Sequence, residues 1–194
     1  MNIQPPILKG KRVAIEPMKI EHVEGLFEAG NDERIWAYMP MKIATVDAMK
    51  TLVDKALTAK EEGTEFPFTI VDLETNTIVG STRFLAISEA NRGLEIGWTW
   101  HHPGVWRSRV NTECKYLLLR YCFETLSTIR VEFKTDARNG QSQKALERLG
   151  ALKEGTRRNH RILPDGYIRD SVYFSIIESE WPKVKQHLAQ LLER

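Results

Sequence analysis

The chain has 194 residues, 42% of them hydrophobic, with 28 Lys plus Arg against 26 Asp plus Glu and a formal net charge of +2. That length supports one substantial core, and no Pro/Ser/Gly-rich linker or charge block divides it, so residues 1–194 read as a single domain. So small a basic excess argues against a dedicated nucleic-acid binder. No stretch approaches the ~20 apolar residues of a membrane span, and the N-terminal MNIQPPILKGKR lacks a signal-peptide run, so a cytoplasmic protein is expected.

In chain order, Leu8 to Ile15 predicts a first strand ended by Pro17. Ile20, Val23, Leu26 and Phe27 share one helical face, with Gly30-Asn31 as a stop. After the aromatic ERIWAYMP segment, Thr45 is a plausible N-cap for a longer helix carrying Val46, Met49, Val53, Ala56 and Leu57 to Gly63. Phe66–Asp72 and Ile78–Ile87 read as a hairpin around Glu74-Thr75-Asn76, and Leu94–Trp100 as a further strand. Next comes a turn at His101 to Gly104, whose histidines are expected to be solvated, then the basic loop WRSRVN.

The strongest helical pattern follows, with Cys114, Leu117, Leu118, Tyr121, Cys122 and Leu126 on one stripe. Its two cysteines lie about 12 Å apart at ~1.5 Å per residue, too far for a disulfide. Arg130–Asp136 alternates as a strand, and a short helix from about Gln141 to Leu149 ends at Gly150 as C-cap. A long hairpin of Leu152–His160 and Tyr167–Ile177 turns at Pro164-Asp165-Gly166. Trp181, Val184, Leu188 and Leu191 then mark a C-terminal amphipathic helix. The mixture of hairpins and crossovers implies an α+β or α/β domain with a mixed sheet of about seven strands covered by helices. The hairpin edge around Tyr167 to Ile177 and the last helix are candidate homodimer surfaces.

A strand that passes through a basic loop into a helix N-terminus is a recurrent anion site, because free backbone N–H groups and the helix dipole converge there. This order, with Glu95-Ile96-Gly97 in the central strand, Asn111-Thr112-Glu113 opening the helix, Asn139-Gly140-Gln141-Ser142 followed by Leu146, Glu147, Leu149 and Gly150, and Asp165-Gly166 with Arg169-Asp170, resembles the GNAT superfamily of acyl-CoA-dependent N-acyltransferases. Within it the chain is most similar to the RimJ/RimL-type ribosomal-protein N-terminal acetyltransferases. The resemblance implies an α/β/α sandwich with splayed central strands, acetyl-CoA as co-substrate, no metal, and transfer of acetyl to a primary amine in a ternary complex.

By the same resemblance Ile96, Gly97 and Trp98 would contact pantetheine and the thioester through main chain. Arg107, Ser108, Arg109, Val110, Asn111 and Thr112 would receive the diphosphate, with Asn111 as helix cap, and Asn139 would touch the pantetheine or diphosphate arm. The departure is in that loop. The family pattern Gln/Arg-x-x-Gly-x-Gly/Ala falls on Trp106, Arg109 and Asn111, so phosphate is expected to be held by the Arg107 and Arg109 side chains rather than by a glycine-lined backbone.

Acetyl transfer also needs a neutral amine, an oxyanion donor and a proton for the leaving thiolate. Glu95 is the candidate base, with a pKa raised among tryptophans, and its alternative is a structural ion pair. The position of the family's common acidic Tyr is Leu146, which leaves the Ser142 hydroxyl as candidate acid. Trp36 and Tyr38 would form an acceptor platform if exposed and core if buried. The Arg157, Arg158, Arg161 run reads first as a solvated strand face, and nucleic acid is not expected as a partner. The competing reading is an acyl-CoA-binding module that has lost catalysis.

Overall fold

The segment expected as one strand, Leu8 to Ile15, is a tight hairpin of β1 (Leu8–Lys9) and β2 (Val13–Pro17). The Gly10 amide closes it onto Val13 O at 2.8 Å. Its turn is held from a hundred residues away, since the Glu113 carboxylate accepts from the amides of Lys11, Arg12 and Val13, each at 2.8 Å. A carboxylate neutralising three converging backbone donors needs the closest possible approach. The site of a Gly10 Cβ would lie 2.5 Å from that carboxyl group.

The computed structural model describes residue 3 and residues 5–193. The leader reading rests partly on Met1, Asn2 and Gln4, which lie outside those residues. After β2 come α1 (Val23–Gly30), α2 (Val46–Glu61), β3 (Phe66–Asp72), β4 (Thr77–Ser88), β5 (Gly93–His101), α3 (Arg109–Arg120), β6 (Arg130–Asp136), α4 (Gly140–Leu149), β7 (Leu152–Ile162), β8 (Ile168–Ile177) and α5 (Trp181–Glu193). Thr45 caps α2 as expected, its hydroxyl accepting from Ala48 N. Gly150 ends α4 at φ 95°. A π-helical turn, Tyr121–Thr125, extends α3.

The eight strands form one sheet in the order β1-β2-β3-β4-β5-β6-β8-β7. Neighbours are antiparallel except β5 and β6, which run parallel and pair only over Gly93–Glu95 with Arg130–Glu132. Beyond Glu95 the two strands part. β8 is paired on both sides, by β6 and β7, so the edge expected at Tyr167 to Ile177 is β7 instead.

Alternation sorts the two faces. Leu94, Ile96, Val131, Phe133, Val172, Phe174 and Ile176 join one core with residues of α3, α4 and α5. On the other face α1 and α2 pack over β4 and β3, around Leu26, Trp36, Met49, Val53 and Trp100. The second face of β6 and β8 is mainly polar, with Glu132, Lys134 and Asp136 opposite Ser175, Tyr173 and Ser171.

Candidate active site

The gap between β5 and β6 is sharpened by a bulge. Ser81 pairs with Trp100 and Arg83 with Gly97, so three residue steps of β5 oppose two of β4. Trp98 takes φ 52°, a conformation uncommon for a residue with a bulky side chain. Leu94 and Ile96 face α3, and alternation would put Trp98 with them. The bulge sends its ring to the α1–α2 side instead, where the Arg83 guanidinium sits 4.8 Å from the ring centroid. Neither Trp98 nor Thr99 has a ladder partner in β4, and β6 has already diverged.

The helix after the basic loop starts earlier than its sequence indicates. Ser108 is the cap, its Oγ accepting from Val110 N at 3.2 Å, so Arg109, Val110 and Asn111 form the first turn and Asn111 is not the cap. Arg107 precedes it at φ 59°, a left-handed turn made without glycine. The Arg107 and Arg109 side chains are exposed, whereas Val110 and Thr112 are buried. The Thr112 hydroxyl accepts from Arg148 Nη2 at 2.7 Å. Asn111 Oδ1 lies 3.2 Å from His101 Nε2. His101 is not solvated as expected, and burial pushes its pKa down to about 4.

Glu95 is only 2% exposed, and its carboxylate accepts from Lys134 Nζ at 2.6 Å. Burial raises its pKa, opposed by the hydrogen bond and charge of Lys134. The environment is therefore a desolvated ion pair rather than a tryptophan box. A Cβ at Gly97 would stand 2.8 Å from Glu95 Oε1, so glycine there keeps the strand open beside the carboxylate. Glu95 and Lys134 lie on the floor of a groove of about 750 Å³ walled by Ala86, Arg157, His160, Arg161 and Tyr173.

At the far end of β6, Asn139 Oδ1 accepts from Ser142 N at 3.0 Å and so caps α4. Ser142 is half-buried in that first turn, and Leu146 is core. Because β5 and β6 are parallel, α3 and α4 both begin beyond the C-terminal ends of the splayed pair. Trp36 is 2% exposed, donates its Nε1–H to Gly30 O and packs on Trp100 at 5.3 Å. It belongs to the core and not to an exposed platform. Tyr38 is exposed, with the Arg138 guanidinium 5.7 Å from its ring and 3.5 Å from that of Tyr167.

Sequence reading missed Lys115. It is buried, donates to Thr99 Oγ1 at 2.6 Å and lies 5.6 Å from the Phe133 ring, so it bridges β5 and β6 where they part. Burial depresses its pKa to about 8. The signal that could have found it is a lysine between two cysteines on an otherwise apolar stripe. Cys114 and Cys122 are buried free thiols, and burial raises both pKa values. Among the described residues no group of three His, Cys, Asp or Glu is placed to hold a metal ion, and no helix is long and apolar enough to cross a membrane.

A mixed sheet with two splayed parallel strands, a bulge at the splay and a helix N-terminus beyond it defines an acyl-group transferase of the GNAT architecture. The family model described as "Acetyltransferase (GNAT) domain" matches residues 12–152, and the chain belongs to that family, whose reaction is acetyl transfer to an amine. It is 26% identical over 172 residues to the uncharacterized N-acetyltransferase p20 of Bacillus licheniformis, covering 88% of this chain and 96% of p20. Among solved structures, a GCN5-related N-acetyltransferase from Brucella melitensis superposes with a TM-score of 0.91 at 29% identity, covering 97% of this chain and 86% of the other. Mycobacterium smegmatis RimJ, solved with CoA-disulfide, shares the fold with a TM-score of 0.80 at 19% identity, over 92% and 88% of the two chains.

Proposed function

We propose that this protein acetylates a primary amine with acetyl-CoA as donor, by direct attack of the amine in a ternary complex. The observation that carries this reading is the divergence of β5 from β6 immediately after Glu95, with the Trp98 bulge beside it. The residues fit such a donor. The strand segment Ile96 to Trp98 offers main chain unpaired by β6, and Gly97 leaves room at the strand surface. Arg107 and Arg109 present exposed guanidinium groups on the rim of the α3 N-terminus, suited to phosphate oxygens. Acetyl-CoA would supply the activated acetyl thioester.

The chain's own groups supply the rest. Glu95, desolvated and held by Lys134, accepts a proton from the incoming ammonium, directly or through water. A backbone N–H of the Trp98 bulge is the candidate oxyanion donor, since main-chain dipoles fixed by strain reorganise little. Ser142 Oγ, in the first turn of α4, is the candidate proton donor to the leaving thiolate, with Asn139 fixing that turn. Tyr38, on the rim beside Arg138, would contact the acceptor. A protein N-terminus and a small-molecule amine both satisfy this chemistry, and a cytoplasmic location suits a soluble co-substrate.

The test is thiol release from acetyl-CoA across a panel of amines and peptides. Acceptor-stimulated release, lost in an Arg107→Ala/Arg109→Ala double variant at subsaturating donor, is the expected result. Donor binding without stimulated release by any acceptor would instead favour a binding module.

A further inference from the structure

The floor and far wall of the groove carry more positive charge than the reaction at Glu95 requires. On β8, Arg169, Ser171 and Tyr173 alternate onto one face of the strand, and Tyr173 lines the groove while Arg169 and Ser171 lie largely buried beside it. Across from them, β7 pairs Arg161 with Arg169 and Arg157 with Ser171. Two guanidinium groups directly opposite on one sheet face repel each other and cost stability. This register is imposed by an irregularity in β7, where Arg157 to Arg161 spans four residue steps against two of β8. Asn159 takes φ 48° within it, and its amide donates to Asp170 Oδ1 at 2.7 Å. The chain thus bends locally and places like charges face to face, a conflict that folding alone does not reward.

Nor are these arginines neutralised by their neighbours. Arg169 is largely buried, its nearest carboxylate oxygen is Asp136 Oδ2 at 3.9 Å, and its Nε has no hydrogen-bond partner among the described residues. That Asp136 carboxylate is already engaged by Arg138 at 2.8 and 3.0 Å. Glu132 and Glu154, the other acids of the groove, are both held by Arg130. His160 is fixed by Ser171 Oγ at 2.9 Å and sits 3.3 Å from the Tyr173 hydroxyl. Arg157 stacks its guanidinium 5.1 Å from the Tyr173 ring. Burial lowers the pKa of both Arg169 and His160, the charge of Arg161 lowers both further, and both arginines act electrostatically on Glu95. The unmatched charge therefore lies in the same groove as the base.

We infer that the acceptor is a small amine carrying a second, anionic group, a carboxylate or a phosphate a few bonds from the nitrogen, which docks between Arg161 and Arg169. The inference rests on the N-acetyltransferase reading of this groove. An anion there relieves the cross-strand repulsion, gives the buried Arg169 Nε an acceptor and leaves the ammonium end of the same molecule facing Glu95. Arg is suited to either ligand chemistry because its planar fork binds both oxyanions in bidentate fashion.

The experiment compares matched acceptors: β-alanine against β-alaninamide, O-phosphoethanolamine against ethanolamine, and a short peptide with acidic side chains against its neutral counterpart. Thiol release from acetyl-CoA is measured with wild type, Arg161→Gln, Arg157→Gln and Arg169→Gln. The expected result is a kcat/KM at least tenfold higher for the carboxylate or the phosphate member, whichever of the two is the true class. In Arg161→Gln that preference falls at least tenfold through KM, with kcat for the anionic acceptor within about twofold. Arg161 is exposed, so its variant should fold even where Arg169→Gln does not. Equal kcat/KM for charged and neutral members would overturn the inference while leaving the acetyltransferase reading intact, and so would a preference confined to the acidic peptide. Where no amine stimulates release, calorimetry decides: binding of β-alanine or O-phosphoethanolamine that Arg161→Gln abolishes supports the site, and absence of binding refutes it.

Discussion

Lys115 Nζ, reaching from α3, donates to Thr99 Oγ1 on β5 at 2.6 Å, which sets an ammonium group in the seam that β6 leaves open. Thr99 Oγ1 is in turn 2.8 Å from Thr82 Oγ1, so the hydroxyl pair survives loss of the lysine. A buried cation held by one hydroxyl and the face of Phe133 is a poor source of stability, because desolvation outweighs a single hydrogen bond and a ring contact. Its folded pKa of about 8 lies below its ordinary value, so the penalty for charging is fully present below pH 8 and disappears as pH rises toward 10.5. Lys115→Met should therefore match or exceed wild-type stability at pH 7, by on the order of 1–3 kcal/mol. The advantage should shrink between pH 8 and 10. Urea unfolding at pH 7 and pH 9.5 measures it; a lower midpoint for the variant at pH 7 would show that the ammonium stabilises the splay.

His101 should make the protein acid-sensitive. Its Nε2–H is assigned as donor to Asn111 Oδ1, which leaves Nδ1 bare, buried and without a hydrogen-bond partner among the described residues. Protonation would create a buried N–H with no acceptor. The folded pKa of about 4 is below the ordinary histidine value, so the unfolded chain binds more protons between pH 6.5 and 4 and stability falls as pH drops through that window. His101→Asn should remove on the order of 1–3 kcal/mol of that slope. Denaturation of both proteins at pH 7.0 and pH 4.5 gives the comparison, and parallel losses would assign the acid sensitivity elsewhere.

The Glu113 contact to three successive amides predicts a large effect far from the groove. Glu113→Ala strands those donors and should cost about 3–5 kcal/mol. Gly10→Ala drives a methyl group into the same carboxylate and should cost about 1–3 kcal/mol in the wild-type background. In the Glu113→Ala background the Gly10 change should cost almost nothing, because the obstacle is gone. Additive losses in that double-mutant cycle would mean that Gly10 is required for another reason.

How far the sequence reveals this molecule varies with the range of the cause. The α2 start at Thr45, the α4 stop at Gly150 and the stripe through Cys114 to Leu126 are local, set by caps and a 3.6-residue period, and could be read directly. The start of α3 could not. Ser108 and Asn111 are both good caps three residues apart, and only the packing of Val110 beneath the turn decides for Ser108. The hairpin at Gly10 was hidden because its stabilising partner lies a hundred residues on. Glu95 was legible as a candidate from its place in the central strand, but Lys134 beside it depends on strand pairing. The Arg161–Arg169 opposition depends on an irregularity that no alternation pattern encodes. What sequence conveys least is the conformation that a tertiary contact forces on a short segment, as at Trp98 and Asn159.

The Glu95–Lys134 pair yields the sharpest prediction for catalysis. Burial holds the Glu95 pKa above the usual carboxylate range, and Lys134 pulls it back down. As a base Glu95 works ionised, so kcat/KM should rise with pH through that elevated pKa and level off above it. Glu95→Gln should lower kcat by roughly 10²–10⁴-fold and abolish the acidic limb, with donor binding retained. Lys134→Met removes the compensating charge and leaves the carboxyl buried, so the acidic limb should persist but move to higher pH. A shift in that direction separates a proton-accepting Glu95 from a merely structural one, since loss of a structural ion pair would reduce activity at every pH without displacing the limb. Activity profiles of the three proteins from pH 5 to 9, with saturating acetyl-CoA and a single amine, make the distinction. A limb that stays in place in Lys134→Met would remove Glu95 from the proton transfer.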